Sequence, residues 1–99
     1  MTITYNQKSI TLSEALLSLK NTNDLDVFLI DLCTPSELRA LKERWRVCQL
    51  LACKNLSYRE VHKITGASLT TIGRVARFLR DESYGGYRNI LKNEESKNV

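Results

Sequence analysis

The chain has 99 residues, of which 42% are hydrophobic, and it carries a formal net charge of +4. A chain of this length suits one compact domain, and so small a domain buries its apolar surface poorly alone, which favours self-association. No apolar run approaches the ~20 residues of a membrane-spanning helix, and the first eight residues lack the pattern of a signal peptide, so we expect a cytoplasmic protein without membrane contact.

The cysteines and the single histidine argue against metal and redox chemistry. Cys33, Cys48 and Cys53 lack C-x-x-C spacing, and each falls within an apolar pattern. We therefore expect reduced, buried thiols rather than disulfides, zinc ligands or a Cys–His nucleophile pair. His62 alone cannot complete a tetrahedral site, so no metal and no cofactor are predicted. No catalytic constellation is present, and we expect that the protein is not an enzyme.

The N-terminal region predicts a polar lead followed by a short helix. Residues 1–9 are mainly polar, with Ile3 and Tyr5 as candidates for packing. Thr11 is placed as an N-cap, and Glu14 stands three residues later, as in a capping box. An apolar stripe follows, which predicts a helix over about 12–20.

Two further helices are predicted between residues 24 and 53. The alternation of apolar and polar residues that is typical of strands is absent after the first few residues. Apolar residues spaced at i, i+3, i+4 and i+7 predict a helix over about 24–32. The segment Thr34-Pro35-Ser36-Glu37 combines a cap, a proline at the first helical position and a box partner, so it predicts a helix start. A long helix over about 35–53 follows, with Trp45 in its apolar stripe. These patterns indicate an all-α fold.

Residues 57–80 have the pattern of a helix-turn-helix. Ser57 and Glu60 form a third predicted capping box, Gly66 is placed for a turn with positive φ, and Ser68 caps the next helix at once. Apolar residues at helical spacing predict a core face on both helices: Val61, Ile64, Leu69, Ile72, Val75, Ala76 and Leu79. After this motif, Tyr84-Gly85-Gly86-Tyr87 opens a last helix over about 84–93, with a polar, fraying end from residue 94.

The positive charge of the chain is concentrated in this motif. Residues 57–80 contain five basic residues and one acidic residue, whereas the remainder contains ten of each. Charge runs are usually solvated helix surfaces, but here the charge coincides with two capped helices and a glycine turn, which favours contact with double-stranded DNA. The predicted DNA-binding residues are Arg59, Lys63, Ser68, Leu69, Thr70, Thr71, Arg74, Arg77 and Arg80. His62 lies on the first helix of the motif, either near a phosphate or simply exposed to solvent, and the second interpretation is favoured.

The same residues carry a resemblance to a known family. The matching pieces are Thr34-Pro35, Ala40-Leu41, Arg44, Arg46, Ser57, Arg59-Glu60, Gly66-Ala67, Thr71-Ile72 and Arg74. The chain thereby resembles the tryptophan-repressor (TrpR) family, and the segments DLCT, TGAS and GGY resemble its YerC/YecD-like branch. The resemblance implies a single six-helix TrpR-like domain over 1–99 in an intertwined homodimer. Its dimerisation helices would span about 12–53 and 84–93. The resemblance also implies a palindromic operator, with half-sites about one DNA turn, ~34 Å, apart.

The resemblance also implies a ligand pocket, which this chain alters. Thr34, Arg44 and Arg74 match pocket positions of tryptophan repressors, whereas Val75 stands where the family has glycine and Phe78 where it has serine. We expect these two larger side chains to fill the cavity and to remove a hydroxyl. Tryptophan is therefore not expected as corepressor, and either a different small-molecule effector or no effector remains open.

The main hypothesis is a dimeric, sequence-specific DNA-binding transcriptional regulator, more specifically a repressor. The alternative is a helical protein–protein adaptor that keeps the motif as a scaffold. Salt-dependent DNA binding would distinguish the two, because only the regulator requires it.

Overall fold

The computed structural model describes residues 8–97, except for the side chains of Ser96 and Lys97. These residues form six α-helices and no strand: α1 (Leu12–Ser18), α2 (Thr22–Leu32), α3 (Pro35–Cys53), α4 (Tyr58–Thr65), α5 (Leu69–Arg80) and α6 (Gly86–Lys97). The prediction of an all-α, six-helix fold is confirmed. The packing suggested for Ile3 and Tyr5 lies outside the described residues.

Local capping interactions explain where the first helices begin. The Thr11 hydroxyl accepts a hydrogen bond from the Glu14 N–H at 3.1 Å, and the Glu14 carboxylate accepts one from the Thr11 N–H at 3.0 Å. The predicted capping box is therefore present. The second helix begins at Thr22, two residues earlier than predicted, because the Asn21 side chain caps it by accepting from the Asp24 N–H at 2.8 Å.

Two other helix ends differ from prediction. The first helix ends at Ser18 rather than near residue 20, with Leu19 already in extended backbone. The last helix begins at Gly86 and continues to Lys97, beyond the predicted end near residue 93. The spacing of apolar residues locates a helix well. Whether its last turn forms depends on a small difference between the hydrogen bonds of that turn and hydrogen bonds to water.

The chain divides into two compact units, one ending at Pro35 and one beginning at Ser36. In the first unit, neither α1 nor α2 contains a buried residue. Several of its larger apolar side chains, such as Leu12, Val27 and Ile30, are more than half exposed, and Leu17 is 87% exposed. This unit therefore has no hydrophobic core formed by its two helices alone.

The second unit has a defined core beneath the helix-turn-helix. Its fully buried members come from α3, from α4, from the turn and from α5: Val47, Cys48, Leu51, Val61, Ala67, Ile72, Val75, Ala76 and Leu79. Trp45 and Tyr87 are partly buried against it. The long helix α3 is thus the base on which α4 and α5 are fixed.

Four sequence-based burial predictions are wrong. Ile64 is 47% exposed and Leu69 is 59% exposed, although both were assigned to the core face. Cys53 is exposed and Cys33 is half-buried, so only Cys48 is the buried thiol expected of all three. The physical reason is position along the helix: Leu69 begins α5 and Cys53 ends α3, where no further turn covers the side chain.

Candidate nucleic-acid interface

The first helix of the motif is fixed at both ends by local interactions. The Ser57 hydroxyl accepts from the Glu60 N–H at 3.1 Å, and the Glu60 carboxylate accepts from the Ser57 N–H at 3.4 Å. At the other end Gly66 adopts φ 76°, the left-handed conformation that a residue without Cβ adopts at little cost. Both features agree with the sequence prediction.

The turn between α4 and α5 is held by side chains that the sequence did not single out for this purpose. The Thr65 hydroxyl donates to the Val61 carbonyl at 2.8 Å and accepts from the Ala67 N–H at 3.0 Å. The His62 ring nitrogen Nδ1 lies 2.7 Å from the Ala67 carbonyl oxygen. His62 is exposed, as favoured from the sequence, but its ring is also part of the turn.

The second helix of the motif, α5, begins with a polar, accessible turn. The Ser68 hydroxyl accepts from the Thr71 N–H at 3.1 Å and contacts the Thr71 hydroxyl at 3.0 Å. Ser68, Leu69 and Thr70 are exposed, whereas Thr71 is half-buried. The predicted groove-contacting residues therefore lie together at the N-terminus of one helix, where small hydroxyl and methyl groups can meet base edges.

The basic residues among the predicted DNA-binding residues are also accessible. Arg59 and Lys63 lie exposed on α4, and three arginines lie exposed on α5: Arg74, Arg77 and Arg80. Arg77 forms an ion pair with Glu82, with Nε 3.3 Å from the carboxylate oxygen. Because the side chains of Arg77 and Glu82 are 56% and 36% exposed, this pair is weak and leaves Arg77 available to a phosphate.

A cavity of about 540 Å³ borders α5 at Arg74, Val75 and Phe78. Four of the five predicted pocket residues line it: Arg44, Arg74, Val75 and Phe78. The sequence did not indicate the others, which come from α3 and from the region around α6: Leu41, Trp45, Tyr84, Gly86, Tyr87 and Ile90. Thr34 belongs to the first unit, where it precedes α3.

The cavity is open, contrary to the expectation that Val75 and Phe78 would fill it. Val75 is 1% exposed and belongs to the core. The Phe78 ring stacks on Tyr84 with centroids 6.1 Å apart, and the guanidinium carbons of Arg74 and Arg77 lie 4.5 and 4.9 Å from its centroid. Phe78 therefore forms part of the wall and leaves the centre free.

Apart from two arginines, the residues that line the cavity are uncharged, and most of them are apolar. Tyr87 stacks on Trp45 with centroids 6.4 Å apart. Desolvation raises the pKa of Tyr87, with a smaller opposing effect of Arg44 and Arg74. The two arginines are the only charged residues among those lining the cavity in the described part of the chain, so it can receive an apolar body with a negative group.

Arg88 ties the start of α6 to the end of α5. Its guanidinium donates to the Leu79 carbonyl at 2.8 Å and to the Glu82 carbonyl at 2.9 Å. Carbonyls at a helix C-terminus lack partners within the helix, and a guanidinium satisfies them well. The loop that includes Tyr84 is thereby closed between two helices, which sets one wall of the cavity.

Within the described residues, no group of histidine, cysteine or carboxylate side chains could hold a metal ion. No helix in residues 8–97 has the length and apolar character needed to cross a membrane.

Comparison with known proteins identifies the family. A sequence profile of the Trp repressor protein family matches residues 7–95. The chain belongs to the Trp repressor family. This match confirms the resemblance seen in the sequence. Members of the family are generally DNA-binding regulators rather than enzymes.

Two relatives place the chain within the family. It is 40% identical over 68 residues to YerC, an uncharacterized protein of Bacillus subtilis (strain 168). That match covers 69% of this chain and 64% of YerC, so it spans a little less than two thirds of the relative's length. The fold is similar to the crystal structure of a TrpR-like protein from Eubacterium eligens ATCC 27750, with a TM-score of 0.77 and 33% identity over 85% of this chain and 84% of that one.

Proposed function

We propose that this protein is a sequence-specific transcriptional repressor that binds a palindromic operator as a homodimer. The observation that carries the proposal is the α4–turn–α5 motif, whose capped recognition helix exposes hydroxyl groups at its start and arginines along its length. A helix with these groups fits the major groove, where hydroxyls meet base edges and guanidiniums meet phosphates. A regulator of this kind acts in the cytoplasm, with the chromosome.

Two sets of residues have different roles in the proposal. Thr70 and Thr71, with Ser68 and Leu69 beside them, contact base edges. Arg59 approaches the DNA from the start of α4, and Lys63, Arg77 and Arg80 contact phosphates. Base contacts determine which sequence is bound, whereas phosphate contacts raise affinity for every sequence.

Substitutions in the two sets test these roles. Arg77→Ala should weaken binding to a specific and to a scrambled duplex alike and reduce the salt slope by roughly one. Thr71→Ala should instead reduce the preference for the specific duplex. Gel shifts at two salt concentrations distinguish these effects, with Arg39→Ala as a control that removes an exposed charge from α3.

Three outcomes would count against the assignment. Equal losses for Arg77→Ala and Thr71→Ala would contradict the division of roles. A similar loss for Arg39→Ala would show that general charge, rather than the motif, controls affinity. A wild-type protein that binds no duplex at low salt would fit the adaptor interpretation instead.

The exposed apolar side chains of the first unit support the homodimer. Helices α1 and α2 have no buried residues, and burying their apolar faces against a second copy would supply the missing core. Light scattering after size exclusion should give about twice the 11.4 kDa chain mass. A monomeric mass at the concentrations that bind DNA would contradict the homodimer.

The wall of the cavity supports the proposal that tryptophan is not the corepressor. The Arg74 guanidinium lies over the Phe78 ring, so that face of the guanidinium is not available to stack on an indole. Phe78 also presents no hydroxyl to a ligand. Titration calorimetry with tryptophan should show no micromolar binding, and such binding would contradict the proposal; Phe78→Ser is the variant that restores a hydroxyl at this position.

A further inference from the structure

His62 forms the tightest side-chain contact of the turn that precedes the recognition helix. Its Nδ1 atom lies 2.7 Å from the carbonyl oxygen of Ala67, five residues further along the chain. A carbonyl oxygen only accepts hydrogen bonds, so Nδ1 must carry the hydrogen in this contact. Nε2 then carries no hydrogen as long as the ring is neutral. In the neutral ring, this contact therefore selects one tautomer.

The contact completes a pair of interactions on a single residue. The Thr65 hydroxyl accepts from the N–H of Ala67, and the His62 ring donates to the carbonyl of Ala67. Both backbone polar groups of Ala67 are thus bound to side chains of α4, and its side chain is buried with 1% exposure. Ser68, the N-cap of α5, is joined to Ala67 by the next peptide bond.

We propose that His62 is a positioning residue of the DNA-binding motif: through Ala67 it sets the direction in which the first turn of α5 leaves α4. This inference rests on the proposed function, because the orientation of that turn matters only if Ser68, Leu69 and Thr70 meet a partner. The role differs from phosphate contact, since the group that His62 binds lies within the chain.

The protonated position of the ring can be measured without DNA. His62 is the only histidine in the sequence, so a chain without an affinity tag gives one imidazole signal set. A long-range nitrogen–proton correlation spectrum in mildly alkaline buffer should show hydrogen on Nδ1. Hydrogen on Nε2, which free imidazole side chains prefer, would overturn the contact and with it the proposal.

Two matched substitutions then separate positioning from a general loss of packing. In His62→Asn, the side-chain amide places a donor near the position of Nδ1, whereas in His62→Gln the amide reaches the position of Nε2. His62→Ala removes both. The loss of one neutral hydrogen bond corresponds to roughly a three- to tenfold change in an equilibrium constant.

The DNA assay uses a duplex selected from random sequence by the wild-type protein, together with its scrambled counterpart. We expect His62→Ala and His62→Gln to weaken binding to the selected duplex by roughly three- to tenfold per protomer, with the salt slope unchanged. His62→Asn should restore most of the loss. Binding to the scrambled duplex should change little in all three variants.

Other results would overturn the inference in distinct ways. Equal weakening on both duplexes, with a salt slope reduced by about one, would make His62 a phosphate contact. Wild-type affinity in His62→Ala, or failure of His62→Asn to restore binding, would show that the Ala67 contact does not position the helix. If the wild-type protein selects no duplex, the proposed function itself fails and this inference with it, whereas the spectrum still reports the ring contact.

Discussion

Gly73 is an unfavourable residue inside the recognition helix, and replacing it should separate stability from DNA binding. It is the fifth residue of α5, and a Cβ built at this position meets nothing within 4 Å. Glycine in a helix interior is less favourable than alanine by about 0.8–1.0 kcal/mol. Because no clash offsets this gain, Gly73→Ala should stabilise each protomer by about 1 kcal/mol.

The surroundings of Gly73 indicate why a glycine is suitable there. Thr70 precedes it by three residues and Arg77 follows by four, so these side chains lie next to it on the helix surface. If the two contact a base edge and a phosphate as proposed, a methyl group at position 73 projects into the space that the DNA occupies. Gly73→Ala should therefore weaken binding to a selected duplex while it stabilises the fold.

Two measurements test the two halves of this prediction. Urea unfolding should show a higher midpoint with an unchanged m-value, and the melting temperature should rise by about 4–8 °C per kcal/mol for a domain of this size. Fluorescence anisotropy should show weaker binding to the duplex. Gly86→Ala is the matched control, because its Cβ is equally unobstructed but lies outside the motif.

Each half can be refuted separately. An unchanged or lower urea midpoint in Gly73→Ala would refute the helix-propensity argument. Equal or tighter duplex binding would refute the close approach of DNA to this position. A loss of binding in Gly86→Ala as large as that in Gly73→Ala would show that the effect is not specific to the recognition helix.

Three further predictions concern the turn, the thiols and the first capping box. Gly66→Ala should lower the free energy of unfolding by about 1–2 kcal/mol, because φ is 76° there, and an unchanged urea midpoint would contradict this. At pH 8, iodoacetamide should modify the exposed Cys53 well before Cys48, because burial raises the pKa of the Cys48 thiol to about 11. Peptide mass mapping would measure the two rates, and equal rates would contradict the burial of Cys48. The hydrogen bond from the backbone N–H of Thr11 lowers the pKa of Glu14 from its ordinary value of 4.5. The carboxylate therefore stabilises α1 above pH 4.5, and this stabilisation is lost as the pH falls through the lowered pKa. Circular dichroism should show this loss of helix in acid for the wild type but not for Glu14→Gln, and parallel curves would contradict the prediction.

The features that could be predicted from the sequence are those fixed by residues close together in the chain. The capping boxes at Thr11 and Ser57 depend on side chains three residues away, the left-handed glycine depends on a single φ value, and all three features are present. The core stripe of α5 was also largely correct, since Ile72, Val75 and Ala76 are buried. Such features require no knowledge of the distant parts of the fold.

The features that could not be predicted depend on partners far along the chain or outside a helix. Helical spacing assigns Leu69 to an apolar face, but it does not tell how far the neighbouring helix reaches. Size alone suggested that Phe78 fills the cavity, whereas its ring is held at the wall by Tyr84, which lies beyond the end of α5. Arg88 gave no sequence signal, because the carbonyls that it binds are defined only once α5 has ended.

If the proposed homodimer forms, the absence of buried residues in α1 and α2 links folding to the amount of protein present. Helices of seven and eleven residues are too short to persist alone in water. If a second copy covers them, each chain orders these helices only on meeting another, and the ordered fraction rises with total concentration. Operator occupancy would then rise more steeply than the concentration of the chain, so a modest drop in synthesis would release the DNA sharply without any effector.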